Sequence, residues 1–190
     1  MMIKNEEDIV RIISDDTWMM DLLKTVKTLN LLDWWICAGF LRSKIWDVLH
    51  HFSERTPIPD IDVIYYDRAN LDELEGKYLE EKLNHLMPGV PWSVKNQARM
   101  HVINNLPPYT SSVDGISKFP EAATALGVKL DGNDHVILAA PWGIDDVVNL
   151  EVKPTPFFAE SKDRLKVYEN RVENKSWDLI WYKVNISTKN

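Results

Sequence analysis

Cysteine is almost absent from this chain. Cys37 is the only one in 190 residues, so no intrachain disulfide can form, and its place inside a short apolar run reads as a small core residue. Long apolar runs are missing too. None approaches the ~20 residues of a membrane span, and the opening residues MMIKNEEDIV lack the apolar segment of a signal peptide. Cytoplasm is the expected compartment, with no membrane partner. Cations are the minority charge: 22 Lys and Arg stand against 29 Asp and Glu, for a net −7. That balance argues against extended nucleic-acid binding, which draws on a basic stripe to neutralise phosphates. Histidines number five, and none has companions at metal-ligand spacing, so no zinc site is expected. No repeat, low-complexity tract or linker divides the chain, and its length suits one domain over 1–190.

What is present concentrates between residues 34 and 67, WWICAGFLRSKIWDVLHHFSERTPIPDIDVIYYD. Residues 34–38 suit a buried strand, and Gly39 then permits an unusual dihedral or a close approach to a ligand. From Phe40 onward Leu41, Ile45, Val48, Leu49 and Phe52 keep helical spacing. The N–H groups at the start of such a helix are a ready site for phosphate, and Arg42 and Ser43 in its first turn add a cationic fork and a hydroxyl. A second strand over 60–66 opens with Asp60 and Asp62. Side chains alternate along a strand, so both carboxylates share one face while Ile61, Val63 and Tyr65 take the core side. Two neighbouring carboxylates repel unless a cation sits between them. A hard divalent ion such as Mg²⁺ (or Mn²⁺) is the economical partner, leaving coordination positions to water and phosphate.

The run AGFLRSKIWDVL followed by DIDV resembles the GGxVRDxLL…DIDI signature of the DNA polymerase beta superfamily of nucleotidyltransferases, which includes CCA-adding and poly(A)-adding enzymes. Ala38 and Gly39 stand at the paired glycines, Arg42 at the arginine, and Asp60 and Asp62 at the metal-binding pair. Over nearly its whole length the chain also resembles small bacterial nucleotidyltransferase-like proteins of unassigned substrate, through residues 39–47, 60–67, 92–101 and 153–156. The resemblance implies an α/β, nucleotidyltransferase-like mixed β-sheet, with helices over one face and an open catalytic cleft on the other. It implies a metal-dependent enzyme that moves a nucleoside monophosphate from a nucleoside triphosphate to an acceptor hydroxyl and releases pyrophosphate. The acceptor stays open among a small molecule, a protein and a nucleic-acid end. Asp60 and Asp62 become the catalytic metal ligands; the reading of the residues themselves supplies Gly39, Arg42, Ser43 and Lys95 as the nucleotide-binding candidates.

One departure stands out. The third strand, 90–95, is where the superfamily places a third carboxylate, and here it reads Trp92, Ser93, Val94, Lys95. Asp145, Asp146 and Glu151 are the alternative sources, although the first two also suit a helix start. Lys95 and Arg99 are candidates to hold phosphates instead. A catalytically inactive nucleotide-binding module and an antitoxin-like interaction protein are the competing readings of the same scaffold.

Elsewhere, helical spacing predicts two N-terminal helices over the sheet, with Ile9, Ile12 and Ile13 on the inner face of the first. A helix capped by Asn70 is predicted to turn Leu71, Leu74, Tyr78 and Leu86 inward. Ser112 is expected to cap a turn, and Pro120 to open a short helix. Asp131-Gly132 reads as the tip of a hairpin, and 147–152 as a strand. Of the eight tryptophans, Trp92 and Trp142 are the candidates to stack on a base, against a core role for most.

Overall fold

The computed structural model describes residues 3–187. Helices α1 (Glu6–Ser14) and α2 (Thr17–Lys27) open the fold, with Asn5 and Asp16 as N-caps accepting from the Asp8 and Met19 amides. Ile9, Ile12, Ile13, Leu22 and Val26 are all buried, as their spacing predicts. Five strands follow: β1 (Trp35–Cys37), β2 (Ile61–Tyr65), β3 (Trp92–Asn96), β4 (Gly127–Leu130) and β5 (Val136–Ala139). They form one mixed sheet in the order β3-β2-β1-β4-β5. Only β2 and β3 run parallel, and a parallel pair needs a long crossover. Helix α4 (Glu73–Leu86) supplies it, while α3 (Gly39–Leu49) links the antiparallel β1 and β2.

Alternation along the strands gives the sheet two unlike faces. Ile36, Ile61, Val63, Tyr65, Val94 and Val128 belong to the main apolar core, against which α1 to α4 pack. The opposite face holds a small cluster of Trp35, Cys37 and Ile64 with Ile116, Ala125 and Ala139. Helices are therefore not confined to one side: α6 (Ser112–Ser117), which follows α5 (Gln97–Ile103), lays Ile116 on the second face. Beyond the hairpin come α7 (Asp145–Val148), β6 (Glu151–Val152), α8 (Pro156–Ala159), α9 (Lys162–Lys175) and β7 (Asn185–Ile186), with β6 and β7 pairing in parallel. Among the described residues no helix is long and apolar enough to cross a membrane.

Several expectations are corrected. Leu71, Leu74, Tyr78 and Leu86 are 52–64% exposed, and α4 buries Leu79 and Leu83 instead. Close backbone approach decides the face: a Cβ at Gly76 would stand 2.8 Å from the Val94 carbonyl oxygen, and Glu80 Oε1 accepts from the Val94 amide at 2.8 Å. Positions 76, 79, 80 and 83 thus form the contact stripe. Asp72, not Asn70, caps the helix by accepting from Leu74 N, and Asn70 Oδ1 accepts from the Asp72 amide at 3.1 Å. Ser111 rather than Ser112 caps α6. After Pro120 there is only a 3-10 turn, Ala122–Thr124. The strand expected over 147–152 is reduced to β6, because Asp145 and Asp146 sit in the first turn of α7, where acids favour a helix.

Candidate active site

The C-terminal end of β1 lies beside the start of β2, where Cys37 pairs with Asp62. The turn into α3 is thereby brought against the acidic pair. A cavity of about 400 Å³ opens there on the second face of the sheet, and Gly39, Arg42, Asp60, Asp62 and Lys95 all line it. Ser43 does not: it is 1% exposed and its hydroxyl accepts from Arg42 Nη2 at 3.0 Å. Asp60 precedes the strand and Asp62 lies within it. The unusual dihedral falls one residue earlier than expected. Ala38, at φ 57° and ψ −118°, occupies a region that side chains other than glycine rarely adopt.

The site is electrostatically tense. Burial, and next the Asp60 charge, push the Asp62 carboxyl above its ordinary range, while Lys95, Ser93 and Arg171 pull it back. Burial likewise lowers Arg42 to about 10, with Glu121 opposing. Cys37, deeply buried beside Asp62, is held far from ionisation. Two carboxylates kept together against their own repulsion suit a divalent cation. Among the described residues, however, no group of three or more His, Cys, Asp or Glu forms a metal site. Asp145, Asp146 and Glu151 line no part of the cavity, and Lys153 pairs with both Asp146 and Glu151. Arg99 faces away too, pairing with Glu73 at 3.3 Å.

Three of the seven charged residues that line the cavity escape the sequence reading. Lys118, Arg171 and Lys175 join Arg42 and Lys95 around the cavity, giving five cations against two acids in a chain of net charge −7. Arg171 donates to Glu121 at 2.6 Å and Lys118 pairs with Asp114 at 3.0 Å. Arg42, Lys95 and Lys175 form no ion pair among the described residues. Arg171 and Lys175 are one helical turn apart on α9, a spacing visible in the sequence, but cations on a helix are ordinarily solvated. Trp177 and Trp181 wall the cavity, whereas Trp92 is buried in the main core and Trp142 donates to the Ser117 carbonyl at 2.9 Å.

Over residues 24–186 the chain matches the family described as Nucleotidyltransferase. The chain belongs to that family. No curated protein matches it. Among solved structures, the chain is similar to a protein whose NMR structure is described as revealing a CCA-adding enzyme head domain. The two share 35% identity over 98% of each chain, with a TM-score of 0.85. It also shares its fold with a CCA-adding enzyme in complex with ATP, at 12% identity and a TM-score of 0.55, covering 99% of this chain and 44% of that one. A third is the Thermotoga maritima CCA-adding enzyme complexed with tRNA, at 14% identity and a TM-score of 0.52, covering 100% of this chain and 44% of that one. The chain thus spans under half the length of those two enzymes.

Proposed function

We propose that this chain transfers a nucleoside monophosphate from a nucleoside triphosphate to an acceptor hydroxyl, with Mg²⁺ or Mn²⁺ held by Asp60 and Asp62. The observation that carries the reading is the meeting, in one cavity, of those two acids with Gly39, Arg42, Lys95 and Arg171. Burial first, and the Asp60 charge next, raise the Asp62 carboxyl, and a bound cation would offset both. When bound, the metal neutralises phosphate charge and lowers the pKa of the attacking hydroxyl. The chain's own residues supply position and charge. Arg42, Lys95, Lys118, Arg171 and Lys175 surround the volume that a triphosphate would fill. Fixed cations in a partly enclosed site stabilise charge that develops on the leaving pyrophosphate. Gly39 carries no side chain at the cavity wall, and an added Cβ would meet Arg42 Nη2 at 3.7 Å.

A second reading, a nucleotide-binding module without turnover, is favoured by the absence, among the described residues, of a third cavity-lining acid. Glu121, which lines no part of the cavity, is fully buried and committed to Arg171 and Thr124. The two readings divide on pyrophosphate. The test is a screen of the four ribonucleoside triphosphates with Mg²⁺ and Mn²⁺ for pyrophosphate release. The transferase reading expects release by the wild-type chain and a loss of at least about a hundredfold in Asp60→Asn. Full activity in Asp60→Asn would overturn the metal assignment, and binding without release would select the second reading.

A further inference from the structure

Arg42 is a buried cation with no ion-pair partner among the described residues, although Glu121, Asp60 and Asp47 act on it from further away. It is 7% exposed, its Nη2 donates only to Ser43, and its Nε has no hydrogen-bond partner. What surrounds it is aromatic. The guanidinium carbon lies 5.2 Å from the Trp46 ring centroid, 4.5 Å from Trp177 and 5.0 Å from Trp181. The indoles also fix one another edge to face, Trp46 with Trp177 at 5.7 Å and with Trp181 at 5.1 Å. Hydrogen bonds lock two of the rings. Trp46 Nε1 donates to the Val147 carbonyl at 3.0 Å and Trp181 Nε1 to Asp47 Oδ1 at 2.8 Å. Asp47 in turn accepts from Thr56 N at 2.9 Å, in the loop that leads to Asp60.

Trp46 is one turn beyond Arg42 on α3, but Trp177 and Trp181 arrive from the far end of the chain. Ser176, in the left-handed region at φ 47°, breaks α9 and turns the chain into the 3-10 helix Trp177–Leu179. The Lys183 amide then donates to His50 Nε2 at 3.0 Å, docking this segment on α3. Three ring faces attract a cation and fix its plane, but they offer no acceptor for its N–H groups. A guanidinium so held, on the wall of a cavity, is organised for an anion that enters from the cavity side.

We infer that Trp177 and Trp181 are positioning residues: they hold Arg42 so that its free N–H edge meets a phosphate oxygen of the nucleotide, which makes the C-terminal segment part of the binding site. The inference rests on the nucleotidyl-transfer reading and adds to it two residues from a segment distant in sequence. A tryptophan that merely stabilises the fold would affect binding whether or not Arg42 is present. One that acts through Arg42 would not.

The experiment is a double-mutant cycle on the full chain. Inorganic tripolyphosphate with Mg²⁺ serves as a probe that needs no base, and affinity is read by titration calorimetry. The wild-type chain is expected to bind, Arg42→Ala to bind at least tenfold more weakly, and Trp177→Leu three- to tenfold more weakly. Trp177→Phe, which keeps a ring face, should recover most of that loss. In the Arg42→Ala background Trp177→Leu should have no further effect. The same cycle at Trp181 should give the same coupling, and Leu and Phe replacements keep enough volume for folding. Equal weakening by Trp177→Leu in both backgrounds, or no weakening in either, would overturn the inference alone. Failure of the wild-type chain to bind tripolyphosphate or any nucleoside triphosphate would bring down both the inference and the reading beneath it.

Discussion

The two faces of the central sheet are made from the same strands yet are built for opposite ends. Toward α1, α2, α3 and α4 the strands present Ile36, Ile61, Val63 and Val94, all buried in the main core. Toward the cavity they present Cys37, Asp62 and Lys95, and only a small apolar cluster lies beside them. A one-residue alternation separates them: Ile61 and Val63 flank Asp62, and Val94 precedes Lys95. The first face stabilises the fold through burial of apolar area. The second holds like charges together and keeps a void, both of which cost stability, and that cost is reasonable only where a ligand later offsets it.

Substitutions can break this contrast. The largest effect is expected on the first face, where Phe40 is fully buried. Phe40→Ala should cost about 3–5 kcal/mol, read as a lower denaturation midpoint, whereas Phe119→Ala at the cavity wall should cost only about 1 kcal/mol.

Asp62→Asn tests the second face from the other direction. Its carboxyl titrates above the ordinary 3.8 in the folded chain, because of burial first and Asp60 next. The folded form therefore keeps the proton longer than the unfolded one. Stability is fullest below that reference value and declines as pH rises through the folded pKa. In metal-free buffer at neutral pH, Asp62→Asn should thus melt higher than wild type, and the difference should vanish below about pH 4. Its transferase activity should nevertheless fall at least about a hundredfold. Stability and activity would move in opposite directions here, and a variant that melts lower at neutral pH would contradict the electrostatic account.

A smaller effect concerns the turn between β1 and α3. Ala38 holds φ 57° and ψ −118°, where relief of strain by glycine outweighs glycine's own entropy cost. Ala38→Gly should raise stability by about 1 kcal/mol in thermal melts. Smallest of all, Leu74→Ser on the exposed side of α4 should stay within about 0.5 kcal/mol of wild type, since Leu74 is 64% exposed.

Much of this arrangement is legible in the sequence, because short-range rules carry it. The period-two pattern around Asp60 and Asp62 places both acids at one cavity, and the helical spacing after Gly39 gives α3. Three things escape. The inner face of α4 is set by the approach of Gly76 to the Val94 carbonyl, a tertiary contact that overrides the apolar pattern of Leu71, Leu74 and Tyr78. The strained residue is Ala38 rather than Gly39: no local pattern marks it, and its place at the first of the superfamily's paired glycines is the one signal that points there. Arg171, Lys175, Trp177 and Trp181 reach the cavity from over a hundred residues beyond Asp62, and no local pattern announces such a return.

The most direct test is a crystal of the wild-type chain grown with Mn²⁺ and a non-hydrolysable nucleoside triphosphate analogue, measured for anomalous scattering. The account predicts a manganese peak at the carboxylates of Asp60 and Asp62, with the triphosphate lying toward Arg42. A cavity without manganese at those acids, or a nucleotide bound elsewhere on the chain, would contradict it.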